Sequence, residues 1–143
     1  MLLAHASRLF GGMADAFNRA DLRGFVAAHV FPCDVIVLGH RRIMRSEDEF
    51  VSFLEPLRGE LLLRGVKRIR PVIGAVGLLR NGQFRARVRW TYQFEDREEP
   101  RDVDSVYCLL VKGDGSLAIE KVDRNESGQP EADGAGAEVA VPL

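Results

Sequence analysis

Residues 83–94 read Gln-Phe-Arg-Ala-Arg-Val-Arg-Trp-Thr-Tyr-Gln-Phe, and their alternation decides the fold. Phe84, Ala86, Val88, Trp90, Tyr92 and Phe94 fall at one parity, while Arg85, Arg87, Arg89, Thr91 and Gln93 fall at the other. Successive side chains of a β-strand point to opposite faces, so this is a strand with one apolar and one cationic face. A slip of one residue would drive three arginines into the core, and that sets its orientation.

Upstream, 66–79 is a second β-rich run, and Asn81-Gly82 between the two is a hairpin signal because both residues tolerate positive φ. Downstream, 102–112 and 117–125 form two more runs joined by Gly113-Asp114-Gly115. Everything before residue 66 reads mostly helical. Leu9, Phe10, Met13, Ala14 and Phe17 recur at helical spacing within 3–20, and Asp21 can cap a second helix over 22–29 that Pro32 closes. A short β-branched run at 34–38 turns at Gly39-His40 and returns over 41–45. Ser46 and Glu49 form a capping box for a third helix, with Phe50, Phe53, Leu54, Leu57, Leu61 and Leu62 on one side. Gly65 is its stop, and Pro56 is expected to kink or split it.

Helices first and a long meander afterwards predict an α+β fold: a strongly curved antiparallel sheet, a cone, with the N-terminal helices packed over its concave face. The domain is expected to span 1–125, followed by an acidic Gly/Ala-rich extension over 126–143 that has little to bury.

Composition narrows the function classes. At 143 residues the chain is one domain, and its 46% hydrophobic and 29% charged content is ordinary for a globular protein. Twenty basic residues face 21 acidic ones, giving −1; the extension holds four acids and no base, so the body carries 20 against 17, a net +3. That is too little to argue for nucleic acid. Neither Arg64, Lys67, Arg68, Arg70 nor the Arg85, Arg87, Arg89 stripe has aromatics interleaved on its own face, as a single-strand binder needs. Cys33 and Cys108 are isolated and apolar-flanked, which suits reduced buried thiols. The N-terminus has no charged segment ahead of its short apolar run, and no run approaches membrane-spanning length. A soluble cytoplasmic protein, without cofactor or metal and without nucleic-acid or membrane partners, is the expectation.

A two-residue turn at Asn81-Gly82 would place Ile69, Ile73, Ala75, Gly77 and Leu79 on the inward face of the preceding strand. Val72, Val76 and Leu78 would then lie outward beside the arginines, as for a sheet-on-sheet homodimer. Light scattering should then return about twice the chain mass.

Phe17-Asn18-Arg19-Ala20-Asp21-Leu22, the Val35-Ile36-Val37-Leu38-Gly39 run, the helix capped at Ser46 and the meander together resemble the SnoaL-like branch of the nuclear-transport-factor-2-like superfamily, across residues 5–125. The resemblance implies an α+β cone, a pocket between sheet and helices, and homodimers through the sheet. It also spans steroid isomerases, polyketide cyclases, dehydratases, epoxide hydrolases and non-catalytic binding or scaffold proteins, so it does not name an activity. Leu117 stands where many relatives carry a Trp after the Gly turn, and no isomerase Tyr/Asp set or hydrolase Arg/Asp set is matched.

A proton-transfer enzyme of that kind needs a carboxylate facing an apolar pocket. An approximate register brings Asp104 near Tyr92 and Val106 near Trp90, all inward, which makes Asp104 and Tyr92 candidate catalytic groups. Asp123 on the last strand resembles the acid/base Asp of polyketide cyclases in position; its face depends on register, with Ile119, Lys121 and Asp123 inward in one and Ala118, Glu120, Val122 and Arg124 in the other. The pocket would be lined by Ile73, Phe84, Val88, Trp90, Tyr92, Val106 and Leu110, closed by Phe17, Phe50, Phe53 and Leu54, with His40 at its rim. The leading expectation is binding of a small hydrophobic molecule. The alternatives are an isomerase, cyclase or dehydratase using Asp104 or Asp123, and a non-catalytic dimeric interaction module.

Overall fold

The alternating stretch forms β4 (Gln83–Phe94), with Ala86, Val88, Trp90, Tyr92 and Phe94 buried and Arg85, Arg87 and Arg89 exposed. The computed structural model describes residues 2–78, 82–96 and 100–124. Around β4 the chain adds α1 (Leu2–Asn18), α2 (Leu22–Val26), β1 (His29–Val37), β2 (His40–Met44), α3 (Glu47–Leu63), β3 (Val66–Leu78), β5 (Arg101–Val111) and β6 (Leu117–Arg124). The six strands form one sheet in the order β2-β1-β6-β5-β4-β3, with the helices over one face. The extension expected over 126–143, and the boundary set for it at 125, lie outside the described residues.

The α+β cone stands, with one change: the sheet is mixed, because β1 pairs parallel with β6. These strands are far apart in sequence, so no hairpin dictates their relative direction. The other ladders are antiparallel.

Local signals shape the helices. Asp21 caps α2 by accepting from the Gly24 N–H at 2.9 Å, and Ser46 caps α3 by accepting from the Glu49 N–H at 3.1 Å. Glu49 reaches back to the Arg45 N–H at 2.6 Å. Of the kink or split expected at Pro56, the split does not occur: α3 runs as one helix through it, with the proline exposed. The second helix is shorter than expected: it ends at Val26, and His29 opens β1.

α1 buries the stripe Ala6, Phe10, Met13, Ala14 and Phe17 against the sheet. Its end is pinned by Asn18, whose amide donates to the Ile69 carbonyl at 3.0 Å and accepts from the Ile69 N–H at 2.9 Å. This paired contact crosses 51 residues of sequence and satisfies backbone groups beside the irregularity between Val66 and Arg68.

β3 departs from the expected register. Leu78 pairs with Phe84, leaving five residues between them, an odd number that a two-residue turn cannot produce. A second irregularity between Ile73 and Ala75 then shifts the phase. Ala75 and Gly77 therefore oppose Arg87 and Arg85 on the outer face, while Val76 opposes Ala86 and packs against the core. Leu78 shares that inner face at the exposed end of the strand. Of the three outward apolar residues expected, only Val72 remains, opposite Arg89.

Candidate functional site

The inner face of the sheet is built by parity. On β5 that parity belongs to Val103, Ser105, Tyr107 and Leu109, which are all buried. Ser105 opposes Val88 on one side and Arg124 on the other, and Arg124 opposes Val37 of β1. One lateral row thus runs Val37, Arg124, Ser105, Val88, Ile73. Ser105 is the smallest side chain in it and is fully buried. Trp90 Nε1 donates to the Tyr107 hydroxyl at 2.7 Å. Phe10 covers the pair from α1, its ring centroid 4.7 Å from Tyr107 and 6.4 Å, edge-on, from Trp90.

The result is a small polar group inside an apolar shell. Burial pushes the Tyr107 hydroxyl well above the ordinary tyrosine range. Hydrogen bonds from Trp90 and Ser105 and the nearby Arg124 charge pull the other way, while Tyr92 adds to the rise. Tyr107 therefore stays a neutral hydroxyl at physiological pH. Arg124, a guanidinium, is only 5% exposed. Charged side chains are rarely buried this far, because their desolvation is expensive.

Three other groups sit near the helical side. Arg42 places its guanidinium 5.1 Å from the Phe53 ring centre. Arg58 lies 5.5 Å from the Phe17 ring and donates through Nε to the Phe17 carbonyl at 2.9 Å. His29 lies between Phe25 and Phe50, and burial lowers its pKa to about 4 despite hydrogen bonds to the Val26 and Phe25 carbonyls. Its Nδ1 is 3.1 Å from the Val26 carbonyl, where it closes the end of α2. It is a neutral core histidine.

Several expected pocket residues do reach the inner face: Val88, Trp90 and Tyr92 are buried there, with Phe84 and Ile73 half-buried. Phe17, Phe50 and Leu54 are buried beneath the helices, and Phe53 is half-buried. His40 is exposed at the start of β2. The others need correction. Asp104 opposes Arg89, not Tyr92, and lies on the outer face, where Arg89 donates to it at 2.9 Å. Val106, Cys108 and Leu110 share that outer parity. Asp123 opposes Val106 there. The pairing is three residues from the expected one, since Tyr92 meets Arg101 and Trp90 meets Val103, and an odd offset turns Asp104 and Val106 to the other face; the sequence over 95–100 carries no readable turn that would have set it.

Neither register proposed for β6 holds along its whole length. A shift beside Glu120 puts Ile119 inward from one set and Val122 and Arg124 inward from the other. Ser105, Tyr107 and Arg124 were thus missed as site residues, although Arg124 stood in one of the two sets.

Among the described residues, the buried polar and charged side chains are His29, Ser105 and Arg124, and no carboxylate is with them. Among those residues, too, no three His, Cys, Asp or Glu group closely enough to hold a metal ion. Cys33 is buried, and burial, with the Asp34 and Glu120 charges adding, pushes its thiol up to about 12, so it is a packing residue. No described helix is long and apolar enough to cross a membrane.

No family model matches the chain, and no curated protein sequence does. Solved structures do. An NTF-2-like protein of unknown function from Shewanella oneidensis MR-1 is 17% identical over 86% of this chain and 98% of that one, with a TM-score of 0.66. ActVI-ORFA from Streptomyces coelicolor is 14% identical over 87% of this chain and 93% of its own, at 0.68. A Catenulispora acidiphila protein, solved in complex with S-DNPA, is 12% identical over 91% and 98%, at 0.68. The chain has the nuclear-transport-factor-2-like fold, the α+β cone that the order of its elements implied.

Proposed function

We propose that the protein binds a small hydrophobic molecule against the inner face of its sheet and performs no carboxylate acid/base chemistry there. The observation that supports this is the makeup of the buried face: apolar walls carrying a few convergent polar groups, with every described Asp and Glu outside it. Isomerase, cyclase or dehydratase chemistry of the expected kind would need a desolvated carboxylate, and Asp104 and Asp123 both point away. The Catenulispora protein in complex with S-DNPA is a precedent for a ligand on this fold, no more.

Thermal-shift and native mass-spectrometry screens with hydrophobic carbonyl compounds test the reading. The wild type, Asp104→Asn and Asp123→Asn should bind alike, within about 0.5 kcal/mol as for surface changes, and none should turn the compounds over. Turnover lost in either variant would restore the enzyme reading. A panel in which nothing binds would favour the third reading, an interaction module with a filled core.

A homodimer through the outer face belongs to the same proposal. Half-buried Val106, Cys108 and Leu110 lie along β5, with Arg85 and Arg87 on β4 to one side and Asp123 on β6 to the other. A two-fold axis over β5 sets the arginines of one copy against the acid of the other. Light scattering should give about twice the chain mass at micromolar concentration, falling as salt screens the pairs; a monomer at low salt defeats it.

A further inference from the structure

We propose that the second half of the β3 edge, residues 72–78, takes a partner segment as an added strand: an extended peptide that alternates acidic and apolar residues. This goes beyond the inner-face ligand and concerns a different part of the molecule.

β3 ends the sheet, and among the described residues no strand pairs with its far side. An edge strand offers unpaired N–H and C=O groups, which proteins commonly block. The first half of β3 is blocked. Ile69 turns both backbone groups off the edge, and the Asn18 amide takes them at 3.0 and 2.9 Å. Pro71, the next residue of that orientation, has no N–H to give. Exposed Lys67, Arg68 and Arg70 crowd the same half with charge. Beyond the irregularity between Ile73 and Ala75 these devices stop. Gly74, Ala75, Gly77 and Leu78 are exposed, and apart from its chain neighbours no described atom lies within 4 Å of where a Gly77 Cβ would stand.

The side chains beside this open half define the partner's chemistry. On the outer face Ala75 and Gly77 oppose Arg87 and Arg85, so only small residues stand between these arginines and the edge. Arg87 already crosses β3: its Cγ and Cδ lie 4.0 Å from the Cβ position of Gly74. An added strand would run about 5 Å farther out, on the side towards which Arg87 leans. Arg89 is held by Asp104, whereas among the described residues neither Arg85 nor Arg87 has a carboxylate at ion-pair distance. On the inner face the neighbours are Val76 and Leu78, and Leu78 is 69% exposed. Acids on one face and apolar side chains on the other therefore complement this edge, in the alternation that a strand imposes. The opposite edge, β2, lacks these features: Asp34 engages Arg41, and Arg42 lies over Phe53. Arg85 and Arg87 also face Asp123 of a second copy in the dimer proposed above, so peptide and second copy compete for them.

The test is calorimetric titration of the full chain at low salt with acetyl-Thr-Glu-Val-Glu-Val-Glu-Thr-amide. Its counterpart with lysine for glutamate should bind about tenfold or more weaker, since both arginine contacts turn from attraction to repulsion. Of two versions N-methylated at alternate residues in opposite phases, the one whose methyls face β3 should not bind, because it cannot donate to the edge. Arg85→Gln with Arg87→Gln, both at exposed positions, should bring the glutamate and lysine peptides within about threefold of each other. Hydrogen exchange should slow at 72–78, and light scattering should show dimer dissociating as the peptide saturates. Equal binding of the two charges, indifference to both methylation phases, protection at β2 instead, or peptide bound to an undiminished dimer overturns the proposal. Peptide that binds only after Glu126→Gln, Glu131→Gln, Asp133→Asn and Glu138→Gln together would assign the edge to this chain's own acidic extension and overturn a separate partner. No binding in any form overturns the site.

Discussion

Replacing Phe10 with alanine is expected to destabilise the protein by about 3–5 kcal/mol, the largest single-residue effect among the expectations here. Phe10 is fully buried and lies in the middle of the α1 stripe. Its ring contacts Tyr107 at 4.7 Å and Trp90 at 6.4 Å, so truncation removes transfer energy, two aromatic contacts and the cover over the Trp90–Tyr107 hydrogen bond at once. The floor cannot close the gap, because Trp90 and Tyr107 are tied to each other and held by strand pairing on both sides. Phe10→Leu keeps most of the volume and should cost roughly half as much or less. Urea denaturation followed by Trp90 fluorescence measures both, with the midpoint shifting and the slope unchanged. A loss below about 1 kcal/mol for the alanine variant would show that α1 is not seated on the sheet as described.

What could be read in advance followed the strength of each local pattern. β4 was legible because twelve residues alternate without a break and three arginines penalise any slip. β5 was not: its second half is apolar on both faces, with Tyr107, Leu109 and Val111 against Val106, Cys108 and Leu110. Parity alone cannot orient such a strand, and the misplaced Asp104 followed from that. β3 carried a usable sign in Gly74, since an isolated glycine inside a strand marks a bulge, and the shift falls at that residue. No comparable sign marks the shift at Glu120 on β6. The fold was therefore readable from element order, while the polar cluster depended on the register shift beside Glu120 and on a connection with no turn signature. Ser105 and Arg124 are also residue types that sequence reasoning assigns to surfaces by default.

A second large effect concerns acid. His29 is buried with its pKa lowered to about 4, whereas in the unfolded chain it titrates near 6.5. As pH falls through 6.5 the unfolded chain takes up a proton that the folded one refuses, so stability is intact above that pH and is lost progressively below it. At about 1.4 kcal/mol per pH unit the loss reaches about 2 kcal/mol near pH 5, and about 3 kcal/mol by pH 4, beyond which this group contributes no further slope. Other groups also titrate in this range, so the informative quantity is a difference between proteins. His29→Gln, which stays neutral, should start less stable at about pH 7.5 because it loses contacts with Phe25, Phe50 and the Val26 carbonyl. It should then lose about 2 kcal/mol less than the wild type on going to about pH 5, both followed by urea denaturation. Parallel pH profiles for the two proteins would mean that the imidazole takes its proton while folded. His29 would then lie open to water, in place of its position between the two phenylalanines that close the helical side of the core.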